Sequence, residues 1–324
     1  MAPMGLRRLV YGIAGLLATI HTSHGHYTFV RLAVNDEWLP TMQYIRNKTG
    51  PYLELPRNDT NYYWRGWNAP TYAGTDRPES SRCGRDNMAW AAQTDVLKVR
   101  AGEDRLEFAM QRWEPMNWKT NQFENCPDGY GTCDLDYGMT FNHHGPLMVH
   151  LSPVPQGKDV REYDASGDWV KIFTVGVEVR EDDPAHWIMY NRGGLPPRFS
   201  FKIPAQTPPG QYLMRMDAVY IGGQYVIAGN AITVEAQLYP SCAQIEVVGS
   251  TENGNASSST PFPKGIKIPE DIVEGTPGMQ LGSLEMYRQQ TIDPGYYYAG
   301  GMLWDGEKMV QDRPDLTVKP AGGR

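Results

Sequence analysis

The chain has 324 residues, of which 40% are hydrophobic and 21% charged, and its formal net charge is −7 at pH 7. This length fits one large domain or two small ones. A mildly acidic chain offers no overall attraction to phosphate groups, so its composition argues against a nucleic-acid partner.

The first 25 residues have the three parts of a secretion signal. Arg7 and Arg8 supply the positive start, and residues 9–20 are apolar apart from Gly, one Tyr and one Thr. Ser23 and Gly25 are small residues at −3 and −1 of a cut after Gly25. The apolar run is shorter than the roughly 20 residues of a membrane span. We therefore predict a secreted, extracellular protein that does not span a membrane.

The position of the cut decides which residue begins the mature chain. A cut after Gly25 exposes His26, whereas a rival cut after Ser23 would expose His24 and place the bulky His21 at −3. A small residue is preferred at −3, which favours His26. A first-residue histidine offers a free amine and an imidazole, which together can chelate a metal.

Short alternating patterns separated by Gly, Pro, Asn and Asp predict an all-β fold. The predicted strands are residues 27–34, 96–99, 105–111, 147–151, 169–177, 198–203, 212–220 and 244–248. Their spacing favours an immunoglobulin/fibronectin-like β-sandwich with long loops. The long loops are residues 35–82, 113–140 and 178–197. We expect a single catalytic domain over 26–304 and a disordered tail over 305–324.

Four cysteines in a secreted chain predict two disulfides. Cys126 and Cys133 are close in sequence and are expected to close one loop, which would leave Cys83 and Cys242 to join distant segments. Three Asn-x-Ser/Thr motifs are glycosylation acceptors of surface loops. Their asparagines are Asn47, Asn58 and Asn255.

Two short clusters carry polar groups suited to a site. His143 and His144 precede Gly-Pro and a predicted strand, so they are potential metal ligands or, alternatively, a surface histidine beside a turn-stabilising one. Gln237 and Tyr239 point to the same face of an extended segment. Their alternative interpretation is a buried tyrosine hydrogen-bonded by glutamine. His150 and His186 belong to no motif and are expected to be structural or surface residues.

Taken together, four motifs resemble the lytic polysaccharide monooxygenases of auxiliary activity family nine, formerly glycoside hydrolase family sixty-one. The resemblance covers residues 26–304. The motifs are His26-Tyr27-Thr28-Phe29, His143-His144-Gly145-Pro146, Pro209-Gly210-Gln211-Tyr212-Leu213-Met214-Arg215 and Gln237-Leu238-Tyr239-Pro240-Ser241-Cys242-Ala243-Gln244.

The resemblance implies a copper site called a histidine brace. His26 would bind through its amine and Nδ1, and His143 through its other ring nitrogen. Tyr239 would hold the distant axial position, and Gln237 would donate near bound oxygen. Amine and imidazole nitrogens suit copper in a tetragonal arrangement, which agrees with this ligand set.

The implied reaction is oxidative cleavage of cellulose or another β-glucan at C1 or C4 of a linkage, with an external electron donor. The protein would act as a monomer. Aromatic rings would stack on the flat polymer, unless they instead pack loops onto the sandwich. The candidates are Tyr296, Tyr297 and Tyr298, and in the first long loop Tyr62, Tyr63, Trp64 and Trp67.

One position departs from the family pattern. Gly222 aligns with a histidine that usually hydrogen-bonds oxygen species beside copper, and Tyr220 or Gln224 could replace it. This departure motivates an alternative function, a copper- or cell-wall-binding protein with weak or no oxygenase activity. A hydrolase is least supported, because the sequence does not pair carboxylates at the required separation.

Overall fold

The computed structural model describes a β-sandwich. It covers residues 28–48, 70–74, 76–110, 144–189, 199–221, 223–227, 230–249, 261–273, 275–279 and 292–321. For residues 110, 223–227 and 230–234 the description is limited to the backbone.

The smaller sheet has three antiparallel strands in the order β2-β1-β4. These are β1 (Phe29–Val34), β2 (Glu37–Trp38) and β4 (Leu106–Met110). The larger sheet has seven strands in the order β14-β13-β6-β5-β9-β12-β3. They are β3 (Leu97–Arg100), β5 (Leu147–Pro153), β6 (Val170–Val175), β9 (Gly210–Tyr220), β12 (Gln237–Val248), β13 (Leu303–Trp304) and β14 (Met309–Val310).

Short elements complete the fold. Two ribbons pair β7 (Val177–Glu178) with β8 (His186–Trp187) and β10 (Gly223–Ile227) with β11 (Asn230–Val234). The helices are α1 (Pro78–Cys83), α2 (Met88–Ala91) and a 3₁₀ turn at Val160–Glu162. Because α1 begins at Pro78, residues 78–82 of the predicted loop 35–82 are helical.

The larger sheet is buried on both faces. Its inner face packs on the smaller sheet through one apolar cluster, which includes Phe108, Val149 and Met216. Its outer face is covered by a second cluster, which includes Trp169 and Leu213. Two-sided burial explains why the central strands are almost continuously buried instead of half exposed.

The outer face also carries a row of four residues across four strands, and two of them are ion-paired. His150 on β5 lies opposite Lys171 on β6 and Arg215 on β9, and Arg215 lies opposite Cys242 on β12. All four side chains are buried. We use the name "charged row" for Lys171, His150, Arg215 and Cys242, after its two ion-paired members, Lys171 and Arg215.

Backbone carbonyls and two carboxylates bind Lys171, Arg215 and the Nε2 atom of His150. Arg215 donates to the carbonyls of Ser81 and Arg82 in α1, and it pairs with Asp217. Lys171 donates to the Ala299 carbonyl at 2.7 Å and to Asp312 at 2.7 Å. His150 Nε2 donates to the Gly300 carbonyl at 2.9 Å. Buried charges are tolerated when they are paired and hydrogen-bonded, as here.

The all-β prediction is confirmed, but two further segments differ from the predictions. The predicted strand at 198–203 is wrong within 199–203, because this segment joins the sheet only through a bridge between Leu106 and Phe201. The prediction of a disordered tail is also wrong over 305–321. There β14 pairs with β13, and Asp312 reaches the buried Lys171. Its charged residues suggested solvent, but one of them neutralises a core ammonium group.

Candidate active site

The pair Gln237–Tyr239 lies at the start of β12, on the inner face of the larger sheet. The Tyr239 hydroxyl donates to Gln237 Oε1 at 2.6 Å. Tyr239 is 0% exposed, whereas Gln237 is half-buried. The shared face follows from strand alternation, as the sequence predicts. The phenol proton is therefore directed to Gln237.

Asp217 fixes the backbone of Tyr239 from the neighbouring strand. Its Oδ1 accepts the Tyr239 backbone N–H at 2.6 Å, while its Oδ2 pairs with Arg215. Asp217 is 0% exposed and Arg215 is 1% exposed. Burial lowers the pKa of Arg215, and the nearby carboxylate of Asp217 opposes that shift. Arg215 on the outer face therefore orients Asp217, and Asp217 holds the backbone of Tyr239, whose side chain lies on the inner face.

The His-Gly-Pro turn is joined to the end of β9. The Pro146 carbonyl accepts from the Val219 N–H at 2.9 Å, and the His144 carbonyl accepts from the Ile221 N–H at 3.3 Å. Gly145 has φ +155°, and a Cβ there would lie 1.8 Å from the Val219 carbonyl oxygen. Only glycine permits so close an approach.

Strand register aligns this turn with the tyrosine. Leu147, the first residue of β5, lies opposite Ala218 on β9, and Ala218 lies opposite Tyr239 on β12. Three strands therefore place the residues that follow His143 in line with Tyr239.

Both predicted histidine ligands, His26 and His143, lie outside the described residues. Across the described ranges, no group of three His, Cys, Asp or Glu side chains could hold a metal. The described residues that fit the metal are Tyr239 and Gln237. A phenol oxygen is a donor that copper could take as a weak ligand beside nitrogen ligands.

Tyr72 is a site residue that sequence reasoning missed. Gln237 Nε2 donates to the Tyr72 hydroxyl at 3.3 Å. Burial raises the pKa of Tyr72, and the nearby Glu235 adds to the shift. Tyr72 lies in a predicted loop 165 residues from Gln237, and no local pattern connects the two.

The prediction that Tyr296 and Tyr298 contact substrate is wrong. They are only 8% and 6% exposed, and their rings pack edge to face with centroids 5.8 Å apart. Tyr296 also packs on Trp187 at 6.2 Å, and the Tyr298 hydroxyl accepts the Val177 N–H at 2.9 Å. Burial raises the pKa of both phenols. These rings hold the β7–β8 ribbon, which was the alternative interpretation.

The remaining aromatic predictions are untested. Tyr297 is half-buried. The first-loop candidates lie outside the described residues: Tyr62, Tyr63, Trp64 and Trp67.

The predicted Cys83–Cys242 disulfide is confirmed and joins α1 to β12. Cys126 and Cys133 lie outside the described residues, as do Asn58 and Asn255. Asn47 is half-buried, and its Oδ1 accepts the Lys48 N–H at 2.8 Å. His186 lies 3.1 Å from Asp183 on the β7–β8 side of the molecule, consistent with a structural role. Among the described helices, none is long and apolar enough to cross a membrane.

Comparison with known proteins defines the class. Residues 26–291 match the model of Auxiliary Activity family 9, formerly GH61. The chain is 31% identical over 288 residues to AA9 family lytic polysaccharide monooxygenase G of Aspergillus tamarii, covering 87% of this chain and 67% of the relative. It is 28% identical over 245 residues to monooxygenase D of Emericella nidulans, covering 74% and 68%.

A solved structure shows the same fold. The extended catalytic domain of H. jecorina LPMO9A superposes with a TM-score of 0.52 at 18% identity, covering 91% of this chain and 98% of that domain. The sandwich and these matches define a copper-dependent oxidoreductase that cleaves polysaccharides with an external reductant. The chain belongs to auxiliary activity family 9.

Proposed function

We propose that this chain is secreted after removal of residues 1–25 and oxidatively cleaves cellulose or a related β-glucan. Its copper would be held by a histidine brace of His26 and His143, with Tyr239 as a further, weaker ligand and Gln237 beside it. The mature protein would act as a monomer. It would carry a second disulfide between Cys126 and Cys133, and glycans on Asn47, Asn58 and Asn255.

One observation carries the proposal. The register Leu147–Ala218–Tyr239 aligns the strand that follows His143 with the buried Tyr239–Gln237 pair. A tyrosine held at its backbone by Asp217 and at its hydroxyl by Gln237 has a fixed position. Such preorganised surroundings tune a metal and its ligands.

Each described side chain has a defined task in this proposal. Tyr239 closes one side of the site and excludes water, because its ring is buried in the sandwich core. Gln237, which is half-buried, places its carboxamide beside the phenol. Bound copper supplies the one-electron chemistry with oxygen that oxidises the sugar carbon.

Copper affinity tests the brace directly. The protein beginning at His26 is compared with a matched form whose terminal amine is acetylated, which converts the terminal amine of His26 into an amide. We expect copper affinity to fall by about 100-fold in the acetylated form, because metal binding requires a deprotonated amine nitrogen. Equal affinity in the two forms would exclude the terminal chelate.

Product analysis tests the reaction. The copper-loaded protein is incubated with reductant and with cellulose, mixed-linkage β-glucan or xyloglucan in parallel. We expect oxidised oligosaccharides by mass spectrometry from at least one β-glucan. Their absence from all substrates, together with tight copper binding, would refute the monooxygenase proposal.

The substitution at Gly222 favours a second candidate. Without the usual histidine, the chain would bind copper or cell-wall polymer with weak or no oxygenase activity. Negligible reductant-dependent peroxide formation by the copper-loaded protein would favour this candidate over the first.

A further inference from the structure

Tyr72 lies directly across from Gln237 on the side of β12 that faces away from β9. Thr71 and Leu238 exchange backbone hydrogen bonds of 2.8 and 2.9 Å, which form an isolated antiparallel bridge. The next residues along the two segments, Tyr72 and Gln237, are therefore opposite each other. Directly opposite residues in antiparallel pairs share a face, so Tyr72 joins Tyr239 on the inner face.

Gln237 is consequently held between two phenols. Its Oε1 accepts from Tyr239 at 2.6 Å, and its Nε2 donates to Tyr72 at 3.3 Å. A carboxamide offers one acceptor oxygen and one donor nitrogen group, and both are engaged here. Tyr72 accepts in this arrangement, so its own O–H proton is directed elsewhere.

The segment carrying Tyr72 is braced on its other side. Asp76 Oδ2 accepts the Tyr72 N–H at 2.8 Å and also pairs with Arg85 at 2.7 Å. Arg85 donates further to the Pro70 carbonyl at 2.7 Å. Arg85 follows α1, which the Cys83–Cys242 disulfide ties to β12. Tyr72 is therefore linked to β12 by a second route, through Asp76, Arg85 and the disulfide of α1.

We infer that Tyr72 is a positioning residue that fixes the Gln237 carboxamide beside Tyr239. The inference rests on the proposed copper function and deepens it. Tyr72 acts through Gln237, which in turn contacts Tyr239, the proposed copper ligand. Loss of the Tyr72 hydroxyl should loosen Gln237 while the ring continues to fill its space.

Side-chain exchange in the metal-free protein tests the contact without copper. The Gln237 Nε2 amide is followed by NMR in ¹⁵N-Gln-labelled protein and assigned by its disappearance in Gln237→Leu. In Tyr72→Phe we expect its hydrogen exchange to accelerate about three- to tenfold, the equivalent of one neutral hydrogen bond. Tyr44→Phe is the matched control, because Tyr44 is half-buried in the neighbouring segment paired with β12. Unchanged exchange in Tyr72→Phe would overturn the inference.

Copper spectroscopy tests the consequence for the metal. The Cu(II) EPR spectrum should shift in Tyr72→Phe and in Gln237→Leu, with no further shift in the double variant. Additive shifts would overturn the inference, because they would show that Tyr72 acts independently of Gln237. Failure of the unsubstituted protein to bind copper would overturn the proposed function instead, while the exchange experiment still decides whether Tyr72 positions Gln237.

Discussion

The two ends of the charged row neutralise a buried cation in different ways. At the β9–β12 end, Arg215 pairs with Asp217, two residues away on its own strand. At the β6 end, Lys171 pairs with Asp312, which arrives from the C-terminal segment. Arginine retains its proton under all ordinary conditions, whereas a buried lysine can lose it. The first end is a permanent charge below the site, and the second is a charge that solution conditions can remove.

This difference separates two structural roles. Asp217 also accepts the Tyr239 N–H, so its pairing supports the site. Asp312 also accepts from Thr174 at 2.7 Å and attaches residues 305–321 to the sheet. Substitutions at the Arg215 end should therefore affect the proposed copper site, whereas substitutions at the Lys171 end should affect the C-terminal segment.

The largest effect is expected for Asp217→Asn. It leaves Arg215 buried without a countercharge, so the free energy of unfolding should fall by about 3–5 kcal/mol. Chemical denaturation measures this loss, and copper affinity of the folded fraction should weaken as well. A loss no greater than that of Asp312→Asn would contradict the distinction between the two ends.

A pH-dependent effect is expected for Lys48→Met. Lys48 is buried beside the Arg215 end, and its Nζ donates to the Pro240 carbonyl at 2.7 Å. Burial lowers the pKa of Lys48 to about 7; Arg85 and Arg215 reinforce the shift and Asp217 opposes it. Above pH 7 the unfolded chain binds more protons than the folded one, so this lysine makes stability rise with pH up to its unfolded pKa of 10.5.

Replacing Lys48 with methionine should remove that rise. The free energy of unfolding of the variant, measured relative to the unsubstituted protein, should therefore fall by about 2–3 kcal/mol from pH 6 to pH 9. Denaturation midpoints at both pH values measure the difference. Lys98→Met is the control, because the Lys98 side chain is 73% exposed. Parallel pH profiles for the Lys48 variant and the unsubstituted protein would show that Lys48 keeps an ordinary pKa.

A smaller effect is expected for Asp312→Asn, about 1–3 kcal/mol at pH 7, because Lys171 can deprotonate when its partner is lost. Burial already lowers the pKa of Lys171, and Asp312 opposes that shift. The variant should therefore have a still lower Lys171 pKa, and its deficit should shrink as pH rises from 7 to 9. Limited proteolysis should cut near residues 305–321 first. A deficit independent of pH would exclude deprotonation of Lys171.

The smallest effect is expected for Tyr296→Phe. Among the described contacts, the buried Tyr296 hydroxyl has no hydrogen-bond partner. Its removal should leave the free energy of unfolding unchanged or raise it by up to about 1 kcal/mol. Tyr298→Phe is the matched comparison and should lose about 1 kcal/mol, since it removes the bond to Val177. Weaker cellulose binding by Tyr296→Phe would reinstate it as a substrate residue.

Sequence patterns predicted the structural features that depend on residues close together in the chain. Alternation placed most strands, and it placed Gln237 and Tyr239 on one face. The patterns did not reveal the burial of Arg215, because the carbonyls that receive it come from α1, more than 130 residues away. Tyr72 was missed and Tyr296 was misjudged for the same reason. Whether an aromatic ring packs or faces solvent depends on segments that meet only in the folded chain.

The alternation of side chains along β12 determines where residues can be inserted into this protein. Gln237 and Tyr239 occupy odd positions that face the core, whereas Cys242 occupies an even position on the charged row. A one-residue insertion between Tyr239 and Cys242 would force one of the two sets onto the wrong face. The β10–β11 ribbon lies before β12 and can vary in length without this conflict. Natural and engineered length variation should therefore be accepted before Gln237 and rejected between Tyr239 and Cys242.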